Sequence, residues 1–169
     1  MRDFSKISPT LWRSKRFLDL SSDDARYLYL YLLTCEHQNN AGAYYLPDGY
    51  ACNDLSWQVE RYDKALAELE QVDLIATDRS VSVVMIRRWF KHNPPMNESH
   101  LRGIERVIER IESDCIAEAV SADLSEAWEL VLEARRAEEE RKKAKAPLPS
   151  LRNSTALETS YLNGRGRPQ

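Results

Sequence analysis

Apolar positions along the chain recur at two spacings, and each change of spacing marks an element. Ala25, Leu28, Tyr29, Leu32 and Leu33 fall at i, i+3, i+4, i+7 and i+8, the single stripe of an amphipathic helix. Ser21-Ser22-Asp23-Asp24 precedes it, a serine cap with acids in the first turn where the helix dipole favours them. This helix is predicted to run to about Glu36. Asn39-Asn40-Ala41-Gly42 breaks it, and Ala43–Leu46 is predicted as a short strand. From Pro47 to Arg88 the spacing changes three times. A short amphipathic segment, Asp48–Asp54, leads into a polar turn at Leu55–Ser56. A helix is predicted over Trp57–Val72, with Ser56 as its cap and Tyr62, Ala65, Leu66, Leu69 and Val72 inward. Two β-branched runs follow, Leu74–Thr77 and Val81–Arg88, split by Asp78-Arg79-Ser80; the second reads as a strand with one buried face.

Helix, turn, helix and hairpin in that order predict a winged helix-turn-helix, so the fold class is mainly α with a small β-hairpin. Upstream, Pro9 in Ile7–Trp12 suits the first turn of a short helix. Downstream of Pro94-Pro95, Asn97 caps a helix in which Leu101, Ile104, Ile108, Ile111 and Cys115 form an a/d seam about two heptads long. Leu124, Ala127, Trp128, Val131 and Ala134 suggest one more helix, very polar through Arg135–Lys145. These one or two C-terminal helices either pack back on the first domain or carry self-association as a homodimer; the pattern slightly favours self-association. Residues from Ala146 onward read as a disordered tail. The expected organisation is a winged domain at 1–97, a helical extension at 98–145 and the tail at 146–169.

Composition narrows the function classes. The chain has 169 residues, enough for one domain with appendages, with 43% hydrophobic and 30% charged content. No apolar run is long enough to span a membrane and no signal-peptide pattern opens the chain, so a cytoplasmic location without membrane contact is expected. Cys35, Cys52 and Cys115 are scattered, with no ligand spacing to His37, His92 or His100, so reduced thiols are expected and neither metal nor cofactor is implied. There is no phosphate-cradling glycine loop and no paired-histidine motif, so an enzyme is not expected.

The net charge of −3 hides a division along the chain. Arg2–Arg16 has five bases and one acid (+4), whereas Phe17–Asp78 has three bases and twelve acids (−9). Arg79–Arg110 then has seven bases and three acids (+4), and the remainder nine and eleven (−2). Positive charge therefore brackets the helix-turn-helix rather than lying on it, although DNA affinity comes largely from phosphate contacts.

The candidate DNA-binding residues follow from this. Arg13, Lys15 and Arg16 can reach phosphates or form a solvated face. On the outward face of Trp57–Val72, Gln58, Arg61 and Lys64 can read base edges or phosphates. Glu68 and Gln71 share that face, and the acids Glu60, Asp63, Glu68 and Glu70 repel the backbone, which limits groove entry to the first two turns. Arg79, at the hairpin tip, suits a minor-groove or phosphate contact. Arg87, Arg88, Lys91 and His92 interleave with Trp89 and Phe90, a mixture suited to nucleic acid; the alternative is that both aromatics close the core. Tyr27 and Tyr31 sit beside the first stripe, where packing is favoured over base stacking.

At the end of the chain, Arg165-Gly166-Arg167-Pro168 resembles the core of an AT-hook, in which extended arginines seek the narrow A·T minor groove. Asn163 and Gly164 replace the usual flanking proline and basic residues, which predicts a weak grip, and chance occurrence is the favoured alternative.

A family resemblance lies in Ile7-Ser8-Pro9-Thr10-Leu11-Trp12, in Leu20-Ser21 with Ala25–Leu28, in Ala65–Leu69 with Leu74-Ile75, and in Trp89–Asn93. Together these resemble phage and prophage replication proteins of the replisome-organiser or initiator type, over roughly Phe4–Asn97. The resemblance implies a winged-helix N-terminal domain, binding to origin DNA, and help in loading the helicase, a contact with other replication proteins, through a C-terminal region. This chain has only a short helical segment there. The expected function is double-stranded DNA binding, with A·T-rich DNA a candidate target, in replication initiation. A transcriptional regulator of the same fold and a replisome interaction module that binds no DNA are the alternatives.

Overall fold

The computed structural model describes residues 5–145 and is mainly helical, with one small antiparallel sheet. Ser8 caps a 3₁₀ turn, Pro9–Arg13, accepting from the Thr10 N–H at 3.3 Å, with Pro9 in the first turn as expected. A single helical turn follows, α1 (Lys15–Leu18), whose Phe17 is buried and meets Trp12 edge-on at 5.4 Å. The helix α2 (Asp23–Thr34) starts where the serine cap predicts: the Ser22 hydroxyl accepts from the Ala25 N–H at 3.1 Å. It ends two residues short of Glu36. Ala25, Leu28, Tyr29 and Leu32 are buried along the predicted stripe.

The predicted strand forms as β1 (Ala43–Tyr45). The helices α3 (Asp48–Leu55) and α4 (Val59–Gln71) follow, then β2 (Ile75–Asp78) and β3 (Val83–Ile86). The sheet order is β1-β3-β2, so the hairpin gains a third strand on its far side, in register Tyr44 with Val84. Two local expectations change. Ser56 does not cap α4; it ends α3 in the left-handed region at φ 54°, and Gln58 precedes the first turn of α4. All four residues of β3 are buried, not one face of it, because the last helix, Asp114–Lys145, packs against β2 and β3 and covers the second face.

The chain leaves β3 through Arg88, at φ 58°, into the single turn α5 (Trp89–His92). Trp89 and Phe90 are 5% and 2% exposed, which decides their role: they close the core. Trp89 donates from its indole nitrogen to the Asn40 carbonyl at 2.9 Å and lies against Gly42, whose φ of +69° and missing side chain make room for the ring.

The heptad seam is not one helix. α6 (Glu98–Ile108), capped by Asn97 as expected, stops before Ile111, and α7 (Asp114–Lys145) begins afresh. The break sits at Ser113, whose hydroxyl accepts from the Ile116 N–H at 3.4 Å and donates to the Asp78 carboxylate at 2.7 Å. Of the seam, Ile104 and Ile108 join the same buried cluster as α2, α4 and the sheet, as do Ile116, Val120, Leu124 and Ala127 of α7. Leu101 and Ile111 are partly buried, and Cys115 is exposed. Arg135 holds α7 further along, donating to the Met96 carbonyl and lying 5.5 Å over Trp128.

Candidate nucleic-acid interface

Two surfaces carry the candidate residues, and they differ in how their charges are already used. The first combines the start of α4 with the β2–β3 hairpin tip. Gln58, Arg61 and Lys64 are exposed there, as the helical spacing predicts. Arg61 is held on both sides. It donates to Asp24 through Nε at 2.8 Å and through a terminal nitrogen at 2.5 Å, and it lies 4.2 Å over the Trp57 ring. Its hydrogen bond keeps the Asp24 carboxyl below the usual carboxylate range. Tyr27 stacks obliquely on the same Trp57, 5.9 Å away. Tyr31 donates to Asp54 at 2.7 Å. Arg79 folds back from the hairpin tip onto Asp48 and Asp63, the second at 2.9 Å.

Three of the four acids of α4 are likewise spoken for, Asp63 by Arg79. Glu68 turns toward α2, where its carboxylate accepts from both backbone and hydroxyl groups of Ser21 and Ser22. Burial pushes its pKa up, but the bonds from Ser22 and Ser21 outweigh that and lower it overall. Glu70 accepts from Thr77 at 2.6 Å. Three acids expected to repel a phosphate backbone therefore work inside the fold instead. The Asp78 carboxyl pKa is lowered by hydrogen bonds from Ser80, within the hairpin, and from Ser113, which ties the hairpin to the start of α7.

The second surface lies between the 3₁₀ turn and α5. Here a cavity of about 260 Å³ is bordered by Lys6 and Arg16 from the N-terminal segment and by Arg87, Arg88, Lys91 and His92. These two positive stretches are separated in sequence by the whole acidic segment, and the fold brings them to one place. Among the described residues Asp73 is the single acid on the lining. It follows α4 at φ 54° and binds both Arg16, at 2.8 Å, and Arg87, at 3.3 Å. Arg16 also donates to the Asp73 carbonyl at 2.7 Å. The Arg87 Nε is buried without an aligned hydrogen-bond acceptor. Arg88 and Lys91 are exposed. Tyr29 lies on the lining, and burial pushes its pKa up to about 12, so its hydroxyl stays protonated.

Of the candidates, Arg16, Arg87, Arg88 and Lys91 converge here, whereas Arg13 and Lys15 are exposed outside the lining. Lys6, the hydroxyls of Ser8 and Thr10, and Asn93 were not anticipated. The excess of bases over acids in Arg2–Arg16 is the signal that carries Lys6. Arg165 and Arg167 lie outside the described residues. Because α4 rises about 1.5 Å per residue, its 13 residues put Asp73 and this cavity roughly 20 Å from the first turn. The two surfaces therefore occupy opposite ends of α4.

Among the described residues no group of three or more His, Cys, Asp or Glu side chains is placed to hold a metal ion, and no helix is long and apolar enough to cross a membrane. No protein-family model, curated protein or solved structure matches the chain.

Proposed function

We propose that the protein is a winged-helix DNA-binding protein that acts in phage DNA replication initiation and holds duplex DNA chiefly by its phosphates. The order helix, strand, helix, helix, strand, strand with a β1-β3-β2 sheet supports the winged-helix reading, with α4 in the recognition position and β2–β3 as the wing. The replication role rests on the resemblance of the N-terminal segments to replisome organisers. The observation that carries DNA binding is the convergence of Arg16, Arg87, Arg88, Lys91 and Lys6 around one cavity with a single opposing acid.

Phosphate contacts position a protein on DNA without reading sequence. Neutralising three to five phosphates there gives a log–log salt slope of about −3 to −4.5, which costs about 40- to 500-fold in affinity between about 50 and 200 mM salt. Fluorescence anisotropy with labelled duplex at those two concentrations tests this. Absence of salt-sensitive binding refutes it. The same titration on a chain ending at Lys145 reports whether the Arg165 and Arg167 tail adds preference for A·T-rich duplex.

One observation favours a second reading, a protein-docking role for the start of α4. Arg61 and Arg79, which would otherwise face DNA, are neutralised by Asp24, Asp48 and Asp63. Under that reading Gln58→Ala and Arg61→Ala leave affinity unchanged for every duplex sequence, whereas an α4 that reads bases loses affinity in a sequence-dependent way at an unchanged salt slope.

A further inference from the structure

The cavity beside α5 has a second property besides its charge. Its cationic rim surrounds an apolar wall of Leu11, Tyr29, Leu33 and Ile86. A solvated basic patch that only tracks a backbone needs no such wall, because successive phosphates lie on the outside of the duplex. We propose that this cavity binds a single nucleotide through its phosphate monoester, with the sugar and base against the apolar wall. The inference rests on the proposed phosphate-binding role of the same cluster and specifies its ligand.

Three observations lead to the monoester. A phosphate monoester carries close to two negative charges near neutral pH, whereas an internal diester carries one. Among the described residues the lining sets Arg16, Arg87, Arg88 and Lys91 against Asp73, so it accommodates the larger charge. Arg16 and Arg87 are held in place by Asp73, which fixes two planar donors at the cavity, while Arg88 and Lys91 complete the rim. At about 260 Å³ the space falls just below the usual range for ligand pockets, about 300–1,000 Å³, and so suits one nucleotide rather than two. Two sources share this chemistry: the phosphorylated end of a DNA strand, and a free nucleoside monophosphate.

The test uses the full chain. Thymidine monophosphate and thymidine are titrated by calorimetry, and a short oligothymidylate is compared with and without a 5′-phosphate by anisotropy. Arg88→Ala/Lys91→Ala, changed only at exposed positions, serves as the variant, with its thermal melt checked against the parent. Saturable binding of the monophosphate but not of thymidine, or a gain of about tenfold from the 5′-phosphate, supports the site when the variant loses that discrimination. A preference confined to the oligonucleotide assigns the strand end; saturation by the monophosphate alone assigns the free nucleotide. Equal behaviour of phosphorylated and unphosphorylated ligands overturns the inference, as does a phosphate preference that the folded variant retains. If that negative result comes with salt-sensitive duplex binding, only the monoester site fails. If duplex binding is absent too, the proposed function fails with it.

Discussion

Glu68 joins α4 to the start of α2, and its removal gives a measurable effect of known sign. Its carboxylate accepts from the Ser22 N–H at 3.0 Å, the Ser22 hydroxyl at 2.5 Å, the Ser21 hydroxyl at 2.9 Å and the Ser21 N–H. The Ser22 oxygen in turn accepts from Ala25, so the glutamate orients the cap of α2 as well as serving as one. Losing a helix cap costs about 0.5–2 kcal/mol, and a hydrogen bond to a charged group is worth about 1.5–3 kcal/mol when sheltered. Solvent reaches this site, so the lower parts of both ranges apply, and Glu68→Gln should cost about 1–2 kcal/mol near neutral pH. For a chain of this size that corresponds to a Tm lower by about 3–6 °C. The pH dependence has a fixed sign. The folded-state pKa lies below the ordinary 4.5, so the stabilisation is complete above that value and is lost as pH falls through the folded pKa. Urea melts of parent and variant at neutral pH and near pH 3 isolate the effect, because Asp24 and Asp78 titrate alike in both proteins. A gap that is absent at neutral pH, or that persists unchanged in acid, refutes the reasoning.

Gly42→Ala combines a left-handed backbone at +69° with overlap of the new methyl and the Trp89 ring, and is expected to destabilise by about 2–4 kcal/mol in chemical melts. A melt within about 0.5 kcal/mol of the parent contradicts that packing. Tyr62→Phe removes a buried hydroxyl that has no hydrogen-bond partner, so its stability should be unchanged or higher by about 1 kcal/mol, and a clear loss shows that the hydroxyl is satisfied. Asp73→Asn releases Arg16 and Arg87 from their shared carboxylate; duplex affinity should rise and its salt slope steepen by about 1–2 while the Tm falls slightly. Weaker DNA binding by that variant counts against phosphate contact at the cavity.

The helices were legible because local chemistry decides them. The Ser22 cap, the Pro9 turn and the stripe Tyr62, Ala65, Leu66 and Leu69 are each written within a few residues, and each appears in place. What escaped was set by residues far apart in sequence. Trp89 and Phe90 sit among bases and read equally as stacking platforms; only the positive φ of Gly42, 47 positions earlier, turns Trp89 inward. The a/d seam continues through Ile111 to Cys115 in spacing, but Ser113 reaches Asp78 and restarts the helix. The candidate site was half visible. Charge segmentation located two positive stretches, yet nothing local shows that they meet, or that Arg61 and Arg79 are tied to acids on α2, α3 and α4.

Phosphate binding at the α5 cluster, rather than at the start of α4, is tested most directly by the salt dependence of duplex affinity in two variants. Removing Arg88 and Lys91 together should flatten the log–log slope by about 2 and weaken binding about equally for unrelated duplex sequences. Gln58→Ala/Arg61→Ala should leave the slope within about 0.5 of the parent, since Arg61 is already committed to Asp24. The reverse pattern, a slope changed by the α4 pair and unmoved by Arg88→Ala/Lys91→Ala, would place the DNA at the other end of α4 and contradict the assignment.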